Sequence, residues 1–201
     1  MANQLTGGFG LRPIGKVGGN VNNNGTTQYE IASDYTTAIY NGGIVVPAAS
    51  GTIIISDQAI APLGVLAGVE YVDSGTKKTT FVNYWPGSNN VSVDTNFPVK
   101  AFVYDDPMQL FVVVADGTNT DRATARADIF SNCDMASVNN GSTNTGKSSD
   151  MLDISSAATT NTLDVRIVGL YEDAANEDYS AVGHQYIVRL NGHFNTGMQA
   201  A

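Results

Sequence analysis

Residues 161–194, NTLDVRIVGLYEDAANEDYSAVGHQYIVRLNGHF, constrain the fold most. Leu163, Val165 and Ile167 alternate with Asp164 and Arg166, the period of a strand with one buried face. Tyr186, Val188 and Leu190 alternate with Gln185, Arg189 and Asn191 in the same way. Between them YEDAANEDYSAVG is acidic, turn-rich and too polar for a core. The pattern predicts two long strands of one sheet joined by a solvated surface loop. Asp164, Arg166 and Arg189 then share the outer face, where opposite charges can lie across from each other.

The rest of the chain repeats the period of two. Tyr29 and Ile31 alternate in TTQYEIAS, and apolar runs flank Asn41-Gly42, a hairpin-type turn. GTIIIS is a short buried run, and the glycines of PLGVLAGVEYVD predict a bend or bulge. A turn, a strand and another turn follow in SGTKKTTFVNYWPGSNN. In FPVKAFVYDDPMQLFVVVADG two β-rich runs flank Asp106-Pro107, the first two positions of a type I turn. Leu110 to Ala115 is continuously apolar and predicts a strand buried on both faces. TDRATARAD can hold one or two helical turns with Thr120 or Asp121 as N-cap. SVNNGSTNTGKSSD reads as a loop, and MLDISSAATT fits either a strand or a helical turn. The fold class is mainly β, a single antiparallel β-sandwich or jelly-roll-like domain over 26–201.

Residues 1–25 are Gly- and Asn-rich and hold few core-forming side chains. They read as an extended N-terminal arm, or as a disordered tail. Arg12 and Lys16 are the only charged side chains before Glu30. The body is acidic and unevenly so. Residues 1–100 carry 5 Lys/Arg against 6 Asp/Glu, and residues 101–201 carry 5 against 13. A net charge of −9 without a basic cluster argues against a nucleic-acid partner.

At 201 residues the chain can bury roughly 70% of its unfolded surface and needs no staples. Its single cysteine, Cys133, allows no intramolecular disulfide; it is a small buried apolar residue or, alternatively, a reactive thiol. No apolar run approaches a membrane span or a signal peptide, so the expectation is a soluble protein made in a cytoplasm.

Little of the sequence points to chemistry. His184 and His193 fall at a strand start and a strand end, where surface roles are expected, and no Cys/His cluster accompanies them. There is no G-x-S-x-G elbow, and Gly7-Gly8-Phe9-Gly10 precedes any strand, so its glycines give flexibility. Asp105 and Asp106 are explained by the turn they open. Glu172, Asp173, Glu177 and Asp178 are a solvated acidic loop or could gather around Ca²⁺, though EF-hand spacing is absent. Asp116-Gly117 with Asp121 is a weaker acidic grouping. Tyr84-Trp85 is a packed strand end or a sugar-stacking platform. No catalytic residue, metal site or cofactor is expected.

Several segments taken together resemble one family. MANQLTGGFGLRPIGKVGG is similar to the opening of small tailed-bacteriophage virion proteins, whose N-termini run through "PFGLRPVG". GVLAGVEYVDSGTKKTTFVNYWPG resembles that family's central segment with its "NYWPG" end. AFVYDDPMQLFVVVADG is similar to its hairpin, and SSAATTNTLDVRIVGLYEDAANE with HQYIVRLNGH to its closing strands. The resemblance covers nearly the whole chain in order and is weakest at 131–150.

The resemblance implies a capsid decoration (cement) protein, non-enzymatic and β-rich. Such a protein binds the outside of an HK97-type capsid as a homo-oligomer, dimer or trimer, and stabilises contacts between capsomers. The implied partners are the major capsid protein and the chain itself, and the location is the outer capsid surface after synthesis in the host bacterial cytoplasm. The alternatives are a virion-displayed carbohydrate- or host-binding β-domain and a tail or connector component. From its charge and its spaced apolar residues, the arm is expected to dock on a neighbour through Phe9, Leu11, Arg12 and Lys16.

Overall fold

Burial of Phe111 to Ala115 on both faces places their strand inside a sheet, and the ladders around it define half of the molecule. The computed structural model describes residues 3–19, 25–136 and 139–196. Within them the strands are β1 Arg12–Lys16, β2 Thr27–Ile31, β3 Ile44–Pro47, β4 Ile53–Ile55, β5 Gly64–Val72 and β6 Thr79–Val82. They continue as β7 Val99–Tyr104, β8 Gln109–Val114, β9 Asn132–Ala136, β10 Met151–Ala158, β11 Val165–Tyr171 and β12 Gln185–Leu190. One short helix, α1 Arg122–Ala127, starts on Asp121, whose carboxylate accepts the Thr124 amide as an N-cap.

Two antiparallel sheets pack against each other as a β-sandwich. The first has the order β1-β8-β12-β11-β9-β10, and the second β2-β7-β5-β3-β4 with β6 also against β5. The alternation read in 161–194 is a direct ladder, Val165 against Leu190 and Ile167 against Val188. The glycines of β5 mark a bulge between Leu66 and Gly68.

Neighbouring residues of β3 and β5 show how the layers meet. Ile44 and Val65 join the core of the first sheet, with Phe111, Ile167 and Tyr186. Val45 and Leu66, one residue on and so on the opposite face, join a second core with Trp85, Ile39 and Val103. The second sheet is therefore covered on one face by the first sheet. Its other face is covered by irregular chain carrying Tyr35, Ile39 and Trp85, whose indole N–H donates to the Tyr35 carbonyl at 2.9 Å.

Several expectations are corrected. The Asp106 turn forms, with the Gln109 amide on the Asp106 carbonyl at 3.0 Å, but β7 and β8 belong to different sheets. It is a corner between layers: β8 is apolar from Leu110 onward and fills an interior position of its own sheet, between β1 and β12. At Asn41-Gly42 the chain also turns without making a hairpin. Ile39 bridges to Trp85, while β3 pairs with β4 and β5. On the outer face Arg166 stands opposite Arg189, like against like. Each guanidinium turns aside, Arg166 Nε to Asn132 Oδ1 at 3.0 Å and Arg189 to the Met108 sulfur. Asp164 instead accepts the Met135 amide at 3.0 Å. Strand β9 adds to the expected elements: NCDMA alternates with the strand period, but over only five residues beside a loop-like stretch. MLDISSAATT resolves as strand, since β10 pairs with β9.

The arm needs the largest correction. Residues 12–16 are the edge strand of the first sheet, paired with β8, and residues 3–11 are bonded to the body. Residues 1, 2 and 20–24 of that stretch lie outside the described residues.

Candidate functional site

The N-terminal segment and its seat contain most of the residues singled out for binding. Asn3 is buried and hooks the loop between β11 and β12: its Nδ2 donates to the Asp178 carbonyl at 2.8 Å, and its Oδ1 accepts the Asp178 amide at 3.0 Å. The Leu5 amide donates to Asn176 Oδ1 at 2.8 Å. Gly183, at φ +112, lets the two chains touch; a Cβ there would fall 1.8 Å from the Leu5 carbonyl oxygen.

The acidic loop is thus a built floor, and most of its carboxylates are engaged. Asp173 accepts the Ala175 amide at 3.1 Å and Asn176 Nδ2 at 2.7 Å, bonds that hold its carboxyl below the usual range. Asp178 is lowered in the same way by the Ser180 hydroxyl and amide. Glu172 pairs with Arg122. Among the described residues no group of three His, Cys, Asp or Glu is placed to hold a metal ion.

From Gly8 to Leu11 the segment crosses two other loops at close range. The Gly10 amide donates to the Asp150 carbonyl at 3.1 Å, and the Leu11 amide to the Gly42 carbonyl at 2.8 Å. Leu11 then enters the core at 2% exposure, which corrects its assignment to a neighbour-binding surface. Lys16 is also committed within the chain: its Nζ lies 2.6 Å from Asp106 and holds that carboxyl below the ordinary range. Phe9 and Arg12 remain at the surface, the guanidinium 5.1 Å over the ring centroid.

Phe9, Leu11 and Arg12 line one cleft of about 280 Å³, shared with Pro13, Leu66 and Lys147. Sequence reasoning brought the first three together by proximity in the chain. It missed Leu66 and Lys147, which only the sheet topology delivers to the same place.

Other candidates resolve into structure. Trp85 is fully buried and Tyr84 stacks on Tyr40 with centroids 5.4 Å apart, so the pair is a packed strand end and Trp85 offers no stacking face. Both histidines are buried, contrary to the surface roles expected. His184 packs against Tyr179 and Tyr186, and His193 Nδ1 accepts the Asn195 amide at 3.1 Å. Burial pushes both imidazoles below their ordinary value. Cys133 is buried, and desolvation pushes its thiol up to about 12, which leaves it unreactive near neutrality. Asp116 accepts the Ile154 amide at 3.3 Å, well apart in role from the Asp121 cap.

Asp150 had no sequence signal. It is 3% exposed, and its Oδ1 meets no hydrogen-bond donor among the described residues. Burial pushes its carboxyl up to about 7, against weaker opposing bonds from Ser148 and the Asn140 backbone.

Comparison with protein-family models, with curated proteins and with solved structures found no match.

Proposed function

We propose that this protein is a capsid decoration protein, binding the outside of an HK97-type phage shell as a homo-oligomer and stabilising contacts between capsomers. The observation that carries this reading is the placement of its exposed aromatics. Phe130 is 80% exposed after α1, beside the first sheet; Phe81 is 69% and Phe97 51% exposed, on or next to strands of the second. Single exposed apolar side chains are ordinary on a protein surface, but aromatic rings are the class enriched where a partner covers them. Several separate anchors suit a protein that gains from many weak contacts on a repetitive lattice.

The motifs that carry the family resemblance support the same reading, because they maintain shape. In GFGLRPIG, Gly10 and Leu11 lock the N-terminal segment to two loops. In NYWPG, Asn83 holds the Thr145 carbonyl at 2.6 Å, Trp85 fills the second core, and Gly87 at φ +89 lies against the Thr36 carbonyl.

The test is a virion reconstruction with a count of copies. A decoration protein occupies the shell exterior in many copies, set by the number of capsomers. A ring of a few copies at the portal would instead make it a connector component, and absence from the shell would end the proposal. With Trp85 buried, the carbohydrate-binding reading loses its stacking platform.

A further inference from the structure

The cleft lined by Phe9, Leu11, Pro13 and Leu66 is apolar on its walls and carries two cations, Arg12 and Lys147, with no carboxylate among its lining side chains. That is against the grain of a chain with 19 acids and 10 bases. Lys16, Lys77, Lys100 and Arg122 each have a carboxylate within ion-pair distance. Arg12 and Lys147 are among the bases with none among the described residues, and of those they are the two that line the cleft; Arg12 also lowers the carboxyl of Asp173. Both cations are exposed and free to meet an anion from outside.

Both are also held in place. Arg12 lies over the Phe9 ring and begins the edge strand β1. Lys147 sits on a loop pinned from both sides: the Asn41 amide donates to the Gly146 carbonyl at 2.9 Å, and the Ser148 amide to the Asn41 carbonyl at 2.8 Å. The Asn83 side chain holds the same loop at Thr145. A hollow whose backbone is pinned and whose Arg12 already lies on a ring costs little ordering when it is filled.

We propose that this cleft receives an apolar side chain that adjoins a carboxylate, carried on a partner polypeptide. The apolar walls take the side chain, and Arg12 with Lys147 takes the carboxylate. A volume of about 280 Å³ falls at the lower edge of the roughly 300–1,000 Å³ of small-molecule sites, so it suits one anchoring side chain better than a cofactor. The choice of a polypeptide rests on the decoration reading, in which the partner is the capsid protein.

The test separates the two ideas. The full-length protein is titrated with N-acetyl-L-phenylalanine, which bears a carboxylate, and with N-acetyl-L-phenylalanine amide, which does not, while backbone amide resonances are followed by NMR. The acid should shift Leu11, Arg12 and Leu66 saturably and bind about fivefold more tightly than the amide, the scale of one exposed ion pair. Lys147→Gln and Arg12→Gln should each remove most of that preference, whereas Lys78→Gln, outside the cleft, should keep it. Equal binding of acid and amide, shifts that avoid the cleft, or no saturable shift would overturn the assignment. A protein that takes the acid but is missing from virions would refute decoration and leave the cleft standing; a virion-bound protein that ignores the acid would refute the cleft alone.

Discussion

The Gly10 amide rests on the Asp150 carbonyl at 3.1 Å, and the carboxyl of that same aspartate is sealed inside the protein with one oxygen unbonded. The crossing that fixes the N-terminal segment is therefore built over a group that resists ionisation. Its carboxyl is raised from 3.8 to about 7 by burial.

The sign of the resulting pH dependence follows directly. A raised pKa means that the folded state holds the proton over a range where the unfolded chain has lost it. The contribution to stability is complete below about 4, falls as pH rises, and is gone above about 7. Asp150→Asn keeps the size of the side chain and removes the ionisation. In urea melts the wild type should lose up to about 4 kcal/mol more than the variant between pH 4 and pH 8. Parallel pH profiles of the two proteins would show that Asp150 ionises freely in the fold.

The N-terminal segment should behave as core. Leu11 is 2% exposed among Phe111 and Val113, so Leu11→Ala should cost about 2–5 kcal/mol in chemical unfolding. Deletion of residues 2–16 should cost more, because it also uncovers the edge of β8. A truncated domain that melts like the full chain would restore the segment to the status of a free arm.

How far such behaviour was legible in the sequence differs between elements. Alternation of apolar and polar residues located β11, β12 and β5, because a half-buried strand imposes that period on its own residues, and an unbroken apolar run located β8, which is buried on both faces. Partner choice was not legible: β7 and β8 flank a sound turn yet enter different sheets, which depends on what buries each face. Glycine spacing in residues 7–10 read as flexibility, and Gly183 carried no signal of its own. In the fold Gly10 and Gly183 are contact points where no Cβ fits. Buried polar residues were the least visible, since Asn3, Asp150 and His184 resemble loop residues until their distant partners are known.

The hook of Asn3 on the β11–β12 loop can be tested by local exchange. Asn3→Ala removes the acceptor of the Asp178 amide and the donor to its carbonyl. The expected result is faster hydrogen exchange at Asp178 and a loss of about 1–3 kcal/mol, the cost of leaving partly buried groups unpaired. Gly183→Ala should reach the same state from the other side, by driving a methyl into the Leu5 carbonyl at a backbone angle that alanine rarely adopts. Unchanged exchange at Asp178 in both variants would mean that the loop holds itself without the segment.

Phe130 allows stability and binding to be separated at one residue. It is 80% exposed, so replacing it removes little burial, and its φ of +78 is in the left-handed region that costs a bulky side chain about 1–3 kcal/mol. Its amide is fixed by the Ile167 carbonyl at 3.0 Å, which holds the ring outward at the end of α1. Phe130→Gly relieves the backbone but adds roughly 0.5–1 kcal/mol of chain entropy. The melting temperature should therefore stay level or rise slightly. If Phe130 is one of the anchors on the capsid, the same variant should be retained on virions far less well than the wild type after dilution, and Phe81→Ser should act additively with it. Loss of stability without loss of retention would mark Phe130 as part of the fold alone, and the anchors would have to lie elsewhere.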